Sequence, residues 1–228
     1  TSATRAVLVS SPSNPTGTLV PDTEMAEIVR TVRELGGVLI VDEIYHGLTY
    51  GVQTRSALHY SVDVFVVNSF SKYYGMTGWR VGWLVAPVDF VEAIDRLAQN
   101  IFLAASTPAQ HAALAAFRPE VLIELNQRRD EFHTRRDFLL PALRALGFDI
   151  PITPDGAFYL YADSSRLAAD SDDFAQRLLE EAGVAITPGR DFGLHAPKRH
   201  VRISYANTRA QLEEGVRRIA AFLGRPTP

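Results

Sequence analysis

Residues 6–17 of the chain read AVLVSSPSNPTG, and residues 38–45 read VLIVDEIY. In both segments a short apolar run, at 6–10 and at 38–41, leads directly into residues that favour turns or carry charge. Between the two runs, apolar residues recur at helical spacing from 25 to 35. This order of strand, loop, helix and strand predicts an α/β fold with a mostly parallel sheet.

The rest of the chain extends this pattern and then departs from it. Further strands are predicted at 62–67 and 81–86, with a loop rich in glycine and aromatic residues between them (SFSKYYGMTGWR, 69–80). Beyond Gly147 short strands, at 157–161, 184–187 and 201–205, alternate with helices. The change of texture predicts a second, smaller α+β domain.

A long helical pattern joins the two parts. We predict a partial large domain over 1–118, a connecting long helix over 119–146 and a small C-terminal α+β domain over 147–228. The charges along that helix indicate a solvated face, and Pro141 predicts a kink or a break.

The composition argues against several classes of function. The 228 residues hold 23 Lys plus Arg and 26 Asp plus Glu, a net charge of −3, so a nucleic-acid or membrane partner is not expected. Apolar runs are too short to span a bilayer. The chain has no cysteine, which excludes disulfides and thiolate metal sites, and its histidines form no metal-binding pattern. A cytoplasmic protein without a metal is therefore expected.

Polar side chains follow three of the predicted strands. Asn14 follows the first, Asp42 and Tyr45 follow the second, and Ser69 and Lys72 follow the third. Ligands of such sheets bind outside the carboxyl ends of the strands, so we expect these groups to converge on one crevice.

Arg80 and Ser69 add the chemistry of a phosphate site, because a guanidinium and a hydroxyl both bind phosphate oxygens. The loop matches neither a Walker A motif nor G-x-G-x-x-G, and this disfavours a nucleotide.

Four motifs in register carry a family resemblance. They are NPTG at 14–17, DEIY at 42–45, SFSK at 69–72 running into GMTGWR at 75–80, and VRIS at 201–204. Together they resemble the class I/II aminotransferases that depend on pyridoxal 5'-phosphate. The resemblance implies a three-layer, mostly parallel sheet of fold type I, present here in part, with the small α+β domain after it.

The resemblance also implies roles for individual residues. Lys72 would bond to the cofactor aldehyde and carry the substrate proton, and Asp42 would pair with the pyridine nitrogen. Asn14 and Tyr45 would hydrogen-bond the phenolic oxygen of the cofactor.

The same resemblance assigns the anionic groups. Ser69 and Arg80 would hold the cofactor phosphate. Arg202 would bind the α-carboxylate of the substrate, with Asn14 beside it.

Taken singly, each of these residues also has an ordinary structural interpretation. Asn14 suits a turn, Asp42 a helix cap and Tyr45 a packing contact. Lys72 suits a solvated surface, and an arginine such as Arg202 suits an ion pair. The functional interpretation depends on their joint occurrence at family spacing.

The predicted activity is ping-pong transfer of an amino group between an L-amino acid and a 2-oxo acid. The alternatives are a carbon-sulfur β-lyase of the same fold and a non-catalytic aminotransferase-like effector module. The resemblance covers the carboxyl-terminal portion of such enzymes, which usually form homodimers. The upstream portion would supply further strands of the sheet and part of the phosphate site. We therefore expect the 228 residues alone to be inactive and prone to aggregate. The particular substrates are not readable from the sequence.

Overall fold

The structure is a computed structural model that describes residues 3–228. The chain divides into two compact units. The first comprises the residues up to Ser13 together with Leu19–Arg129, and the second comprises Asn14–Thr18 together with Asp130–Pro228. The short segment Asn14–Thr18 therefore belongs to the second unit, although residues of the first unit flank it on both sides.

A four-stranded sheet organises the first unit. Its strands, in spatial as well as chain order, are β1 (Ala6–Ser10), β2 (Val38–Asp42), β3 (Phe65–Ser69) and β4 (Gly82–Val85). β1, β2 and β3 are parallel, and β4 runs antiparallel to β3. The mostly parallel sheet expected from the sequence is present.

Helix α1 (Asp22–Glu34) supplies the crossover between β1 and β2. Its buried face, Met25, Val29 and Val32, packs with buried strand residues that include Leu39 and Val41. This apolar contact covers one face of the sheet and fixes the level at which the strands end.

The third strand begins later than the sequence pattern predicts. The apolar run starts at Val62, but that side chain is 76% exposed and β3 starts at Phe65. Pairing with β2 decides the boundary, because Phe65 is the residue that lies opposite Ile40. Apolar character alone did not reveal which residues find a partner.

Three helices follow the sheet: α2 (Val88–Ile101), α3 (Thr107–Ala116) and α4 (Pro119–Ala145). α2 is amphipathic but has no buried residue among those described, and Val88, Leu97 and Ile101 are exposed. α3 instead buries Ala113 and Ala116 against Phe70.

α4 continues through Pro141, so the predicted break is wrong. The proline ring removes one backbone donor, but Leu139, Leu140, Ala142 and Leu143 around it are buried. Burial of these side chains holds the last turns in helical form despite the missing hydrogen bond.

The charged run on α4 is only partly a solvated face. Arg128 pairs with Glu124 and Arg135 with Glu131, each one turn away, as expected. Arg136 is an exception, because it is 7% exposed and donates from Nη1 to the carbonyl oxygen of Pro154 at 2.6 Å. The Arg136 side chain therefore links α4 to the segment around Pro154 within the second unit.

The second unit is built on a three-stranded antiparallel sheet. Its strands are β5 (Tyr159–Asp163), β6 (Thr187–Pro188) and β7 (His200–Ser204), with β7 in the centre. Helices α5 (Ser171–Ala182) and α6 (Arg209–Phe222) complete the unit. β5 starts two residues after its predicted position, and β6 is shorter than predicted, because only Thr187 and Pro188 pair with β7.

Within residues 3–228, no helix combines the length and the apolar character that crossing a bilayer requires.

Replacing Pro141 by alanine should stabilise the protein. The change restores a backbone donor within α4 and leaves the buried neighbours in place, so we expect the free energy of unfolding to rise by about 1–3 kcal/mol. Urea denaturation measures the change. Gln127→Ala at an exposed position of the same helix is the control, with an expected effect below about 0.5 kcal/mol. A Pro141→Ala variant less stable than the parent would show that the proline is favourable in this helix.

Candidate functional site

The register of the parallel strands brings two polar residues to the same edge of the sheet. Asp42 is the last residue of β2 and lies beside Val67 of β3. β3 then continues to its last residue, Ser69. The register therefore places two of the predicted polar residues, Asp42 and Ser69, at one edge of this sheet.

Lys72 and Tyr45 lie together beyond these strand ends. The Nζ atom of Lys72 is 5.8 Å from the centre of the Tyr45 ring, and that tyrosine is only 3% exposed. Asp42 shapes the turn that leads to Tyr45, because its Oδ1 accepts a hydrogen bond from the backbone N–H of Ile44 at 3.0 Å. The amine of Lys72 and the ring of Tyr45 thus lie near each other, and Asp42 ends the strand that leads into the Tyr45 loop.

Close packing fixes these two loops against each other. Gly47, at φ +89°, lies so near Tyr73 that an added Cβ would be 2.6 Å from the ring. Only glycine combines this backbone conformation with this clearance. The contact ties the loop of Tyr45 to the residue that follows Lys72.

A hydroxyl network braces the loop after β3. The hydroxyl of Ser69 lies 2.9 Å from that of Ser71 and 3.1 Å from the carbonyl oxygen of Val81. The backbone N–H of Ser71 donates to the Ser69 oxygen at 3.0 Å. The Thr77 hydroxyl donates to the carbonyl oxygen of Ser71 at 2.6 Å, which closes the loop on itself.

Arg80 ends that loop in an unusual conformation. Its φ of +53° lies in the left-handed region, where residues other than glycine are uncommon. The side chain is exposed and its Nη1 donates to the carbonyl oxygen of Thr77 at 3.0 Å. Strain of this kind is found at binding sites, where the rest of the structure imposes it.

A buried acid, Glu43, precedes Tyr45 in the sequence, and a histidine, His46, follows it. Glu43 is 3% exposed, accepts a hydrogen bond from the backbone N–H of Ala57 at 2.7 Å and lies 3.4 Å from Nδ1 of His46. Burial lowers the pKa of His46 below its usual value and outweighs the opposing effect of Glu43. The pair anchors the 43–57 loop that carries Tyr45.

The second unit holds the two other predicted residues, and they touch. Nη1 of Arg202, on β7, donates to Oδ1 of Asn14 at 2.8 Å. The guanidinium carbon lies 4.2 Å from the centre of the Tyr159 ring and 4.7 Å from that of Phe192. The Nε atom is buried and has no hydrogen-bond partner among the described residues.

Backbone contacts seat Asn14 in the second unit. Gly17 accepts a hydrogen bond at its carbonyl oxygen from the N–H of Gly156 at 2.9 Å. At φ +67°, a Cβ on Gly17 would be 2.5 Å from the carbonyl oxygen of Gly156, so no larger residue fits.

The structure thus groups five predicted residues in the first unit and two in the second. The first group is Asp42, Tyr45, Ser69, Lys72 and Arg80, and the second is Asn14 and Arg202. Sequence reasoning missed Ser71, Thr77, Tyr159 and Phe192 around these residues. Ser71 stands within the SFSK motif, whereas Phe192 carries no comparable signal.

Comparison with known proteins identifies the family of the chain. Residues 1–219 match the profile of the family described as aminotransferase class I and II. The chain belongs to this aminotransferase family. The matched range contains the four motifs that carry the sequence resemblance.

Two aminotransferases illustrate the similarity in sequence. The chain is 44% identical over 221 residues to valine–pyruvate aminotransferase of Mycobacterium tuberculosis. The match covers 96% of this chain and 57% of that protein. It is 36% identical to aspartate/prephenate aminotransferase of Thermus thermophilus, covering 99% and 58% of the two chains.

Solved aminotransferase structures share the fold. A crystal structure of an aminotransferase from Mycobacterium tuberculosis superposes with a TM-score of 0.93 at 44% identity, over 96% of this chain and 57% of that one. A Thermus thermophilus aspartate aminotransferase variant gives a TM-score of 0.91 at 36% identity, over 97% of this chain and 60% of that one. The fold is that of the fold type I aminotransferases, and the chain spans somewhat more than half the length of these relatives.

Acid should destabilise the protein through His46. Its pKa is lowered in the folded protein, so the folded state favours the neutral ring and the unfolded state binds the extra proton first. The contribution of His46 to the free energy of unfolding is therefore fully present above the unfolded pKa of about 6.5 and is lost as the pH drops below it.

Thermal unfolding at pH 7.5 and pH 5 tests this effect. We expect His46→Gln to lose less stability between the two pH values than the parent. His195→Gln, at an exposed position, is the control and should lose as much as the parent. Equal losses for parent and His46→Gln would contradict the assignment.

Proposed function

We propose that the protein is an aminotransferase that moves an amino group between an L-amino acid and a 2-oxo acid by a ping-pong mechanism with pyridoxal 5'-phosphate. The observation that carries the proposal is the placement of Lys72 beside Tyr45, beyond the strand ends marked by Asp42 and Ser69. Membership of the family supports it.

The donor set fits this cofactor. Lys72 offers a primary amine for an aldehyde, Asp42 a carboxylate for a ring nitrogen and Tyr45 a hydroxyl for a phenolic oxygen. Ser69 and Arg80 offer a hydroxyl and a guanidinium for a phosphate. When bound, pyridoxal phosphate supplies an electron sink for the carbanion that forms when the substrate loses its Cα proton.

Lys72 would act as nucleophile and as proton carrier. Its amine would bond to the cofactor aldehyde and would accept the Cα proton of the substrate at Nζ. The centre of the buried Tyr45 ring lies 5.8 Å from Nζ, so both side chains can contact the same ligand.

Asp42 would keep the pyridine nitrogen protonated. Its Oδ1 accepts a hydrogen bond from the N–H of Ile44 at 3.0 Å, and this contact restrains the orientation of the carboxylate. A carboxylate stabilises a positive charge on the ring, which a neutral amide does not.

Arg202 would bind the substrate α-carboxylate. Nη1 of this arginine donates to the Asn14 side chain, and Nε is a buried donor without a partner among the described residues. A guanidinium held in this way binds both oxygens of a carboxylate in a fixed orientation and so orients the Cα–H bond.

The comparisons support a substrate class rather than a particular substrate. The relatives named above are a valine–pyruvate and an aspartate/prephenate aminotransferase, so their donors differ while the reaction type is shared. We extend only the amino acid and 2-oxo acid classes to this chain. A homodimeric assembly and a cytoplasmic location are predictions of the sequence and the resemblance.

In the full-length protein, borohydride should fix the cofactor to Lys72. The 228 residues contain two lysines, Lys72 and Lys198, so peptide mass spectrometry after reduction separates these two outcomes. We expect the label on Lys72, and Lys72→Ala should lose turnover by several orders of magnitude. Lys198→Ala, which removes an exposed lysine paired with Asp170, is the matched control and should keep its activity. A label on Lys198 or no visible absorbance with added cofactor would refute the proposal.

Arg202→Lys should weaken every amino acid substrate by a similar factor. The change keeps the charge and loses the bidentate geometry, so we expect kcat/KM to fall by the equivalent of about 2–4 kcal/mol. A panel of neutral, aromatic and dicarboxylic amino donors provides the measurement. A loss confined to dicarboxylic donors would mean that Arg202 binds a side chain instead.

A product assay separates transamination from the β-lyase alternative. Glutamate formed from 2-oxoglutarate and an amino donor indicates transamination. Pyruvate and ammonia released from cystathionine, without glutamate, would indicate the lyase. None of the relatives compared above is named as a lyase.

A further inference from the structure

Among the residues that the structure describes, Arg202 is held without a carboxylate, unlike three other cations near it in the sequence. Arg190 pairs with Asp172, Lys198 with Asp170 and Arg199 with Asp163. No carboxylate within residues 3–228 forms an ion pair with Arg202. Its polar contacts are the neutral oxygens of Asn14 at 2.8 Å and, at the limit of a hydrogen bond, Thr187 at 3.5 Å.

Aromatic rings take the place of a counter-ion. The guanidinium carbon lies within 5 Å of the ring centres of both Tyr159 and Phe192, at 4.2 and 4.7 Å. A guanidinium this close to ring faces gains cation–π attraction. An aromatic ring carries no net charge, so the attraction orients the arginine and leaves its full positive charge available to a ligand.

The two rings are themselves fixed, by different means. Tyr159 belongs to β5 and is 6% exposed. Phe192 ends a short turn, Gly189–Phe192, and meets Tyr161 edge-on with ring centres 5.9 Å apart.

The turn that presents Phe192 is anchored at its start. Gly189 is packed so tightly that a Cβ would be 2.4 Å from the carbonyl oxygen of Pro197. The next residue, Arg190, is tied to Asp172 of α5 by an ion pair at 2.7 Å. The position of the Phe192 ring is therefore imposed by the fold of the second unit.

We propose that Phe192 is a positioning residue that, with Tyr159, orients the charged guanidinium of Arg202 toward a substrate carboxylate without neutralising it. This inference rests on the proposed function, in which Arg202 binds that carboxylate. Any carboxylate-bearing substrate, amino acid or 2-oxo acid, depends on the ring to a similar degree.

Phe192→Leu tests the role of the ring in the cofactor-loaded protein. We expect KM for both amino donor and 2-oxo acid to rise about 3- to 30-fold, the range of a cation–π contact, while kcat changes far less. Phe192→Tyr keeps an aromatic face and should restore the parent KM. Leu194→Ala, at a 98% exposed position two residues away, is the control and should leave KM unchanged.

A binding measurement separates this inference from the proposed function. Titration calorimetry with propionate, which cannot be transaminated, should show the same weakening in Phe192→Leu, whereas binding of the uncharged propionamide should not change. If borohydride labelling of Lys72 fails while propionate binding still depends on Phe192, the proposed function falls and the positioning role stands.

Three results would overturn the inference. They are an unchanged KM and propionate affinity in Phe192→Leu, a Phe192→Tyr variant as impaired as Phe192→Leu, or a loss of kcat with KM unaltered. Where Phe192→Leu fails to fold by circular dichroism, Phe192→Met, which fills similar space without a ring, takes its place with the same expected weakening.

Discussion

Parallel pairing of β1, β2 and β3 is the constraint on which the first unit depends. Strands that run in one direction end at one edge, so the residues that follow them are neighbours in space although α1 and a long loop separate them in the chain. Strand pairing, together with the packing of α1 on the sheet, brings Asp42 and Ser69 to that edge. The loops beyond them then need only short-range contacts, such as Gly47 against Tyr73, to place Tyr45 near Lys72.

Arg80 of the first unit and Arg202 of the second are held by different physical means. Arg80 owes its direction to a backbone in the left-handed region and to a hydrogen bond within its own loop. Arg202 lies on a regular strand and owes its direction to surrounding side chains. The first arrangement stores backbone strain, whereas the second requires several distant residues to pack correctly.

Much of the fold and of the candidate site could be predicted because local signals and global packing agree there. β1 has the predicted bounds, and Asp42 and Ser69 close their strands as expected. The predictions fail where contacts with residues distant in the chain determine the local structure. Val62 looks like a strand residue but has no partner, Arg136 looks solvated but bonds to Pro154, and Pro141 looks like a helix breaker but has buried neighbours. Phe192 was missed for the same reason, since only the folded sheet brings it to Arg202.

The contact between Asn14 and Arg202 joins residues 188 positions apart in the chain. Loop closure over such a separation is slow and unfavourable in entropy, so contacts of this kind form late in folding. During synthesis Asn14 is made before Arg202 and can pair with it only after β7 has been made. The Asn14–Thr18 segment lies between β1 and α1 but belongs to the second unit, so its final contacts depend on strands that are made much later. The arginine that we propose for the substrate carboxylate therefore gains its Asn14 contact later than β1 and β2 can pair.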